Sequence, residues 1–380
     1  MREVAIIGVG IHPFGRFPEK RFQDMTRQAI TESLKDAGVA WKQIQAAYCG
    51  CYTLSVAGHR VLHEVGLIGI PIVNVDNACA TAGSAFRLAY QAIATGIYDI
   101  AIAFGVEKMP KGFIATDTYT MEPRQYVGAT NPFYWALAFR RHQAKYGTTE
   151  KQLGIVSVKN HKNAVHNPNA MYRTEMSLKE VMNSAVVCDP LRLFMLCAPN
   201  DGAAAAILCS ADKARQFTGK PIKIAACVLG CGRYGGPMPA IPDFSCSAKI
   251  EVPSVTEFTS KEAFRVSGIG PEDLDMAEIQ DTCSWNEIEY MEQLGFCKPG
   301  EAGPMIEQGK TLPGSKLPIN VSGGLLSKGE PVGASALGQV HEVVLHLRGQ
   351  AGARQVPNAK VGLTHVYGGA DNSCVMILKK

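Results

Sequence analysis

Cys79 stands between a short apolar run, Val73–Val75, and a small-residue stretch with helical character from Thr81 to Thr95. A cysteine at a strand-to-helix junction faces the free N–H groups and the positive dipole end of the helix, which favour a thiolate over a thiol. The thiolate is the nucleophilic form, so the placement suits covalent acyl transfer, although a buried structural cysteine occupies such a position equally well. Glu330 lies in a Gly/Ser-rich turn, "NVSGGLLSKGEPVGASALGQ", that starts at Asn320. A carboxylate there can move protons if it is enclosed, and is a solvated loop residue if it is not. His365 precedes a Gly-Gly turn, Gly368-Gly369, just before the last strand. Histidine is the usual proton shuttle near neutral pH, and is also a common structural residue. Gln280, Asp281 and Cys283 fall at the end of a predicted strand, the end where ligands gather in α/β sheets.

These residues need a scaffold, and the chain reads as strands alternating with helices, hence a largely parallel α/β layering. The spacing predicts strands at Val4–Val9, Ile44–Cys49, Ile100–Val106 and Asp201–Ser210. It predicts a helix over Phe22–Ala37 that closes at Gly38. Lys108 to Cys188 is polar, mixed and rich in Asn, Tyr and His, and reads as an insertion with helices near 135–146, 150–163 and 177–183. The second half repeats the first. At an offset of 230, "KDAGVAWKQIQAAYCGC" from Lys35 meets "RVSGIGPEDLDMAEIQD" from Arg265, pairing Gly38 with Gly268 and Ala47 with Ala277. Each half then has an Asn-centred turn, at Asn77 and Asn320, opening into a small-residue helix. A duplicated unit places those two helices at its centre, where small side chains allow close packing. The division expected is residues 1–107 plus 189–215 as one half, 108–188 as the insertion and 216–380 as the other half.

Composition narrows the function. With 46% apolar and 19% charged residues the chain buries a large core and is not disordered. A net charge of +4 does not argue for nucleic acid or an anionic membrane surface. The start reads as a first strand rather than a targeting segment, and no apolar stretch approaches the ~18 residues of a membrane span. The twelve cysteines sit in apolar contexts and read mostly as reduced, buried residues of a cytoplasmic protein. The close pairs Cys49/Cys51 and Cys227/Cys231 lack a second pair at zinc-ribbon spacing, so no metal site is expected.

Five ordered blocks resemble the thiolase superfamily, nearest to its sterol-carrier-protein-type branch. They are "NACATAGSA" around Cys79, "PLRLFMLCAPNDGAAAAIL" from Pro190, "EIQDTCSWNEIEYMEQLGF" from Glu278, "NVSGGLLSKGEPVGAS" from Asn320 and "THVYGGA" from Thr364. The resemblance spans essentially the whole chain. It implies a five-layered α-β-α-β-α sandwich built by internal duplication, and an enzyme that makes or cleaves β-ketoacyl-CoA. Coenzyme A is then a co-substrate and no cofactor is tightly bound. The resemblance implies Cys79 as nucleophile, with the Cys79 N–H and the Gly368 region as one oxyanion-binding set. The Glu330 turn and the Gln280 strand end form the other, and Asp281, Cys283 and Asn320 stand behind them.

The chain departs from that family pattern in three places. A Gly-His-Pro turn reads Gly329-Glu330-Pro331, a His-Asp-Cys-Phe block reads Gln280-Asp281-Thr282-Cys283, and a His-Asn pair reads His365-Val366. The cysteine of the second block is displaced by one residue, which on a strand reverses its face. Two usual imidazoles are missing, leaving His365 as the remaining one. A carboxylate cannot donate to an oxyanion unless protonated, so Glu330 is read as a base or as a protonated acid. The "GEP" and "HVYGG" blocks resemble thiolase-like large subunits that work with a small companion carrying a zinc ribbon and an OB-like fold. One such group, in anaerobic toluene degradation, cleaves (S)-2-benzoylsuccinyl-CoA to benzoyl-CoA and succinyl-CoA. Phe113, Tyr119, Tyr126, Phe133, Tyr134 and Trp135 are candidates to line an aromatic acyl pocket. The family further implies a homodimer core. The competing readings are a retro-aldolase acting on a branched hydroxyacyl-CoA and a catalytically quiet lipid or CoA carrier.

Overall fold

The computed structural model describes residues 2–110, 130–217, 219–233, 252–369 and 371–380. The strands are β1 (Val4–Gly15), β2 (Ala46–Gly50), β3 (Ile72–Val75), β4 (Ile100–Glu107), β5 (Val186–Cys188), β6 (Leu191–Arg192), β7 (Asp201–Ser210), β8 (Ile222–Cys231), β9 (Met276–Glu278), β10 (Val361–Gly368) and β11 (Asn372–Lys379). The helices are α1 (Phe22–Ala37), α2 (Ala57–Val65), α3 (Thr81–Ala94), α4 (Asn131–Tyr146), α5 (Glu150–Ala164), α6 (Leu178–Met182), α7 (Ala211–Ala214), α8 (Val255–Ser267), α9 (Ser284–Gln293), α10 (Ala302–Glu307), α11 (Gly324–Lys328) and α12 (Ser335–Arg348).

Nine strands are joined in the order β3-β2-β4-β7-β1-β8-β11-β10-β9. The link between the two halves is the short antiparallel pairing of β1 with β8, Ala5 to Lys223 and Ile6 to Ile222. On either side of it the topology repeats. β1, β7, β4 and β2 in one half match β8, β11, β10 and β9 in the other, and β2–β4 and β9–β10 are both parallel. Even β3, parallel to β2, has its counterpart in a parallel bridge between Ala277 and Ile319. The duplication seen at offset 230 is a structural one. Helices α1 and α8 both end on a left-handed glycine, Gly38 (φ 68°) and Gly268 (φ 66°), followed by the short 3-10 turns Trp41–Gln43 and Pro271–Asp273.

Strand alternation sorts the core into three apolar layers. Ala5, Ile7, Ala47, Cys49, Ile102, Phe104, Ala205 and Ile207 point outward to α1 and α2. Their neighbours Ile6, Val9, Tyr48, Ala103 and Ala206 point inward, where α3 and α12 meet between the halves together with Val366, Cys374 and Met376. The other face of the second half, with Leu363, Val375 and Ile377, packs against the α8 and α9 side. Three helical layers around two sheet halves make the five-layered sandwich.

The first strand runs further than its glycines suggest, through Gly8 and Gly10 to Gly15. The glycines are there for α1. A Cβ on Gly8 would lie 2.7 Å from the Ala37 nitrogen, and one on Gly10 would lie 2.5 Å from the Ser33 nitrogen. The helix therefore lies directly on the strand, and the absent side chains continue the strand rather than end it. The segment between β4 and β7 carries α4, α5, α6 and the β5–β6 pair.

Candidate active site

Cys79 sits on a tight turn between β3 and α3, one residue before the N-cap Ala80. Ala78 is held in the left-handed region at φ 49°, a strained position for a residue with a Cβ. The turn is over-determined by its neighbours. Ala80 N donates to Asn77 O (3.0 Å), Thr81 N to Ala78 O (3.0 Å), Asn77 N to Thr81 Oγ1 (2.8 Å) and Asn77 Nδ2 to Ser84 Oγ (2.8 Å). From the other half, β10 ends against this turn. A Cβ on Gly368 would come within 2.8 Å of the Ala80 nitrogen, so only glycine allows the approach. That approach brings the Gly369 N–H, together with the N–H of Cys79 itself, onto the Cys79 sulfur.

Glu330 reaches the same sulfur from the C-terminal half. It is 1% exposed, and its charge and hydrogen-bonding oxygen act on the Cys79 thiol. Gln280, two residues beyond β9, donates Nε2 to Glu330 Oε1 at 2.8 Å and to Thr282 Oγ1 at 2.7 Å. The second carboxylate oxygen accepts from another thiol, Cys197 Sγ, at 3.0 Å from Oε2. Cys197 is fixed alongside the Gln280 segment by its N–H to Thr282 O, 2.8 Å.

The electrostatics reverse one expectation. Burial, then the charge and hydrogen bond of Glu330, push the Cys79 thiol well above its ordinary range, and the two backbone N–H groups only partly oppose this. Cys79 is thus favoured as the thiol over the thiolate by burial and the carboxylate, against the pull of the helix start. It keeps part of its surface open, so a substrate can still reach it. Burial and Glu330 likewise raise Cys197.

The other expected residues are placed elsewhere or play a supporting part. His365 is fully buried on the odd-numbered face of β10, with Leu363 and Tyr367, opposite the face that meets α3. Its Nε2 pairs with Thr256 Oγ1 (3.1 Å), its ring packs edge-on against Tyr290 (4.7 Å), and burial lowers its pKa to about 3. It is a neutral core residue, and the reading of it as the site's imidazole is corrected. Cys283 is also buried, with its Sγ on Asn286 Oδ1 (3.2 Å) at the start of α9. The sulfur that joins Glu330 is instead Cys197, 133 positions away in sequence. Asn320, at φ 55°, accepts Ile279 N on Oδ1 (2.8 Å) and donates Nδ2 to Glu287 (2.7 Å), which holds the turn from within. Asp281 takes the N–H groups of Leu325 (2.6 Å) and Leu326 (3.3 Å) and Asn160 Nδ2 (2.8 Å), anchoring the loop that delivers Glu330. Gln280 has committed both amide hydrogens to Glu330 and Thr282, so it positions the carboxylate instead of donating to an oxyanion; its Oε1 has no partner.

A further residue that sequence reading missed is Glu107, at the end of β4. Its buried carboxylate gathers Tyr52 N (2.9 Å), Thr53 N (3.0 Å), the Thr53 hydroxyl and, from the other half, Gly333 N (3.0 Å). It thereby ties the loop after Glu330 to the N-terminal half. Of the candidate aromatic residues, Phe113, Tyr119 and Tyr126 lie outside the described residues; Phe133 is exposed, Tyr134 buried and Trp135 half-buried on α4. A surface hollow of about 650 Å³ lined by His12, Lys20, Asp24 and Arg27 shares no residue with this site. Among the described residues no group of three or more His, Cys, Asp or Glu side chains is arranged to hold a metal, and no helix is long and apolar enough to cross a membrane.

A cysteine-bearing turn from one half and a carboxylate-bearing loop from the other meet between two copies of one α/β unit. The family profile described as "Thiolase, N-terminal domain" matches residues 4–212, and "Thiolase C-terminal domain-like" matches residues 244–380. The chain belongs to the thiolase family, is an acyltransferase of that kind, and works on CoA thioesters. It is 39% identical to the acetyl-CoA acetyltransferase of Methanothermobacter thermautotrophicus, over 99% of each chain. It is 35% identical to the benzoylsuccinyl-CoA thiolase subunit BbsB of Thauera aromatica, over 97% of this chain and 95% of that one. It is also 35% identical to sterol carrier protein 2 of Bos taurus, over 96% of this chain and 70% of the relative. Among solved structures the Ltp2-ChsH2(DUF35) aldolase superposes with a TM-score of 0.87 at 23% identity, covering 99% of this chain and 98% of that one, a likeness of fold.

Proposed function

We propose that this chain catalyses CoA-dependent thiolysis of a β-ketoacyl-CoA, with Cys79 as nucleophile and Glu330 as its base. The observation that carries the reading is the buried Glu330 carboxylate, held by Gln280 and Cys197, acting on the Cys79 thiol at the start of α3. Glu330 takes the thiol proton and the sulfur attacks the keto carbon. The carbon–carbon bond breaks to leave an acyl-enzyme, and coenzyme A removes the acyl group. The Cys79 and Gly369 N–H groups suit the oxyanion that forms at a thioester on Cys79. For the substrate, the finer reading is (S)-2-benzoylsuccinyl-CoA, giving benzoyl-CoA and succinyl-CoA, supported by the likeness to the Thauera subunit. The archaeal relative's name points instead to an acetyl group.

Intact-mass analysis after mixing with benzoylsuccinyl-CoA or acetoacetyl-CoA separates the readings. Benzoyl mass on Cys79 supports the finer one, and acetyl mass alone replaces it. Cleavage with no acyl group ever retained on Cys79 returns the reaction to aldol-type chemistry, and the absence of cleavage altogether favours the carrier. We further assign a homodimer core, supported by the open edge of β3 with Val73 exposed and by the nearby exposed Val56, Leu67 and Ile68. A small companion subunit fits the Thauera relative's description as a subunit. A cytoplasmic setting fits the eleven described cysteines, all unpaired. The proposed division into halves at 1–107 plus 189–215 and 216–380, with 108–188 inserted, keeps Cys79 and Cys197 in one half and Glu330 in the other.

A further inference from the structure

Arg16 follows β1 on a loop that runs beside the site. Phe14 N donates to Asn169 O (3.0 Å) and Phe17 N to Asp201 Oδ2 (2.9 Å), which lays the loop against two stretches that also border Glu330. In the first, Met171 N and Tyr172 N donate to Lys328 O (3.1 Å) and Ser327 O (3.0 Å); in the second, Pro199 is bridged to Glu330 itself. The Arg16 head group is fixed, with Nη1 donating to Met109 O (2.7 Å) and Nη2 to Pro110 O (3.2 Å). Arg2, Arg21, Arg140, Arg348 and Arg354 each meet a carboxylate at 2.6–2.9 Å. Arg16 meets none among the described residues. Asp201, the carboxylate that its loop does touch, is spent on Phe17 N, Met109 N (3.2 Å) and Lys108 Nζ (3.8 Å). Arg16 is thus a half-buried, immobilised cation without a counter-ion. Two carbonyls call for donors and not for a charge, and an uncompensated charge costs free energy that a neutral donor would avoid.

Tyr172 links this cation to the reacting end of the site. It is 38% exposed, and its hydroxyl has no hydrogen-bond partner among the described residues. Burial raises its phenol, the Arg16 charge opposes that and the Cys197 sulfur adds to it, so the ring lies within electrostatic reach of both. Cys197 in turn stands 3.0 Å from Glu330. The guanidinium keeps its Nε–H and a second hydrogen on each Nη beyond the two given to carbonyls. A carboxylate is the group that accepts two such parallel N–H donors and a hydroxyl together. We propose that Arg16 and the Tyr172 hydroxyl bind a carboxylate on the acyl portion of the substrate, so that the preferred substrate is a β-ketoacyl-CoA with a second, ionised carboxyl group on a short branch. This rests on the thiolysis reading above and selects within it. A plain ketoacyl chain leaves Arg16 unpaired, whereas a carboxymethyl branch on the carbon between the keto and thioester groups supplies its counter-ion. Coenzyme A also carries anions, but its phosphates lie at the far end of the pantetheine arm and are common to every substrate. A carboxylate on the acyl group is the anion that tells one ketoacyl-CoA from another.

The test uses substrates that differ only in the charge of the branch. Full-length native protein, Arg16→Met, Arg16→Lys and Tyr172→Phe, with thermal midpoints recorded, are assayed for thiolysis by coenzyme A. The substrates are β-ketoacyl-CoA pairs with an α-carboxymethyl or an α-ethyl branch, one pair with a benzoyl and one with an acetyl group at the keto carbon. In at least one pair the native protein is expected to prefer the carboxymethyl member by about 10- to 100-fold in kcat/KM, the scale of charge-assisted hydrogen bonds. Arg16→Met should lose that preference, chiefly through KM, while its rate on the ethyl member stays within about threefold. Arg16→Lys keeps the charge without the planar fork and should recover part of it. Tyr172→Phe alters an exposed side chain and should cost about 3- to 10-fold on the carboxymethyl member alone. Absence of the preference in the native protein overturns the proposal, as does its survival in Arg16→Met or in Tyr172→Phe. Equal losses on both members also overturn it, because they assign Arg16 to the coenzyme A phosphates or to the fold. Should Arg16→Met lose its native midpoint, Tyr172→Phe decides by itself. A native protein that cleaves no member of either pair refutes the thiolysis reading instead.

Discussion

Replacing Glu330 by glutamine removes a negative charge and a proton acceptor with almost no change of shape. The amide oxygen can still accept Gln280 Nε2, so the loop should stay in place. Two consequences then run in opposite directions. A thiolate on Cys79 beside an ionised carboxylate is repelled; at about 4 Å and an effective dielectric near 20 the interaction is about 4 kcal/mol, or about 3 pKa units. Cys79 is partly open to solvent, which screens the pair, so a fall of about 1–3 units in the thiol pKa is expected. Glu330→Gln should thus make Cys79 react faster with iodoacetamide at neutral pH. It should also lower turnover by about 10²- to 10⁴-fold, because the base that accepts the thiol proton has gone. Both are measurable on one preparation: alkylation rate against pH with the modified peptide identified by mass, and thiolysis followed by loss of the β-ketoacyl chromophore. Turnover near the native level, or alkylation of Cys79 that is unchanged or slower, would refute the pairing of this carboxylate with this sulfur.

Cys79→Ala should abolish the acyl-enzyme in intact-mass analysis while leaving coenzyme A binding by calorimetry within a few-fold of native. Gly368→Ala puts a Cβ 2.8 Å from the Ala80 nitrogen, so the β10 end must withdraw from the Cys79 turn. A stability loss of about 1–3 kcal/mol by denaturant unfolding and a turnover loss of about 100-fold are expected. His365→Gln should keep turnover within about tenfold, whereas a loss on the 10²- to 10⁴-fold scale would restore His365 to the chemistry. Acid should destabilise the fold in a defined window. Burial lowers His161 and His341 to about 4 and His365 to about 3 from the ordinary 6.5. The unfolded chain therefore binds protons that the native one refuses. The stability these residues permit is complete above about pH 6.5, declines as pH falls from there to their folded values and levels off below them, seen as a falling urea midpoint.

The layers and the duplication were legible because they rest on local, repeated signals: glycine stops at Gly38 and Gly268, a buried strand at Asp201–Ser210, small residues on the central helices. Cys79 and Glu330 stood out as candidates because each stands on a conspicuous turn. His365 misled because a histidine beside a Gly-Gly turn says nothing about which face of its strand it occupies, and register decides that. Cys197 and Glu107 were invisible for another reason. Each acts through a partner more than a hundred positions away, 133 for Cys197–Glu330 and 226 for Gly333–Glu107, and neither stretch has a periodicity that announces it. The thiolate expectation weighed a helix start without the burial and the opposing carboxylate that the fold places beside it.

Glu107 carries a meaning for ancestry. Its two oxygens clasp backbone from both repeats, and the proposed reaction centre likewise draws its sulfur from one copy and its carboxylate from the other. Two originally equal copies have become complementary parts. Neither could be detached, exchanged for its twin or allowed to drift alone without dismantling the joint, so fusion in a single polypeptide guarantees that the two specialists always arrive together and in equal number.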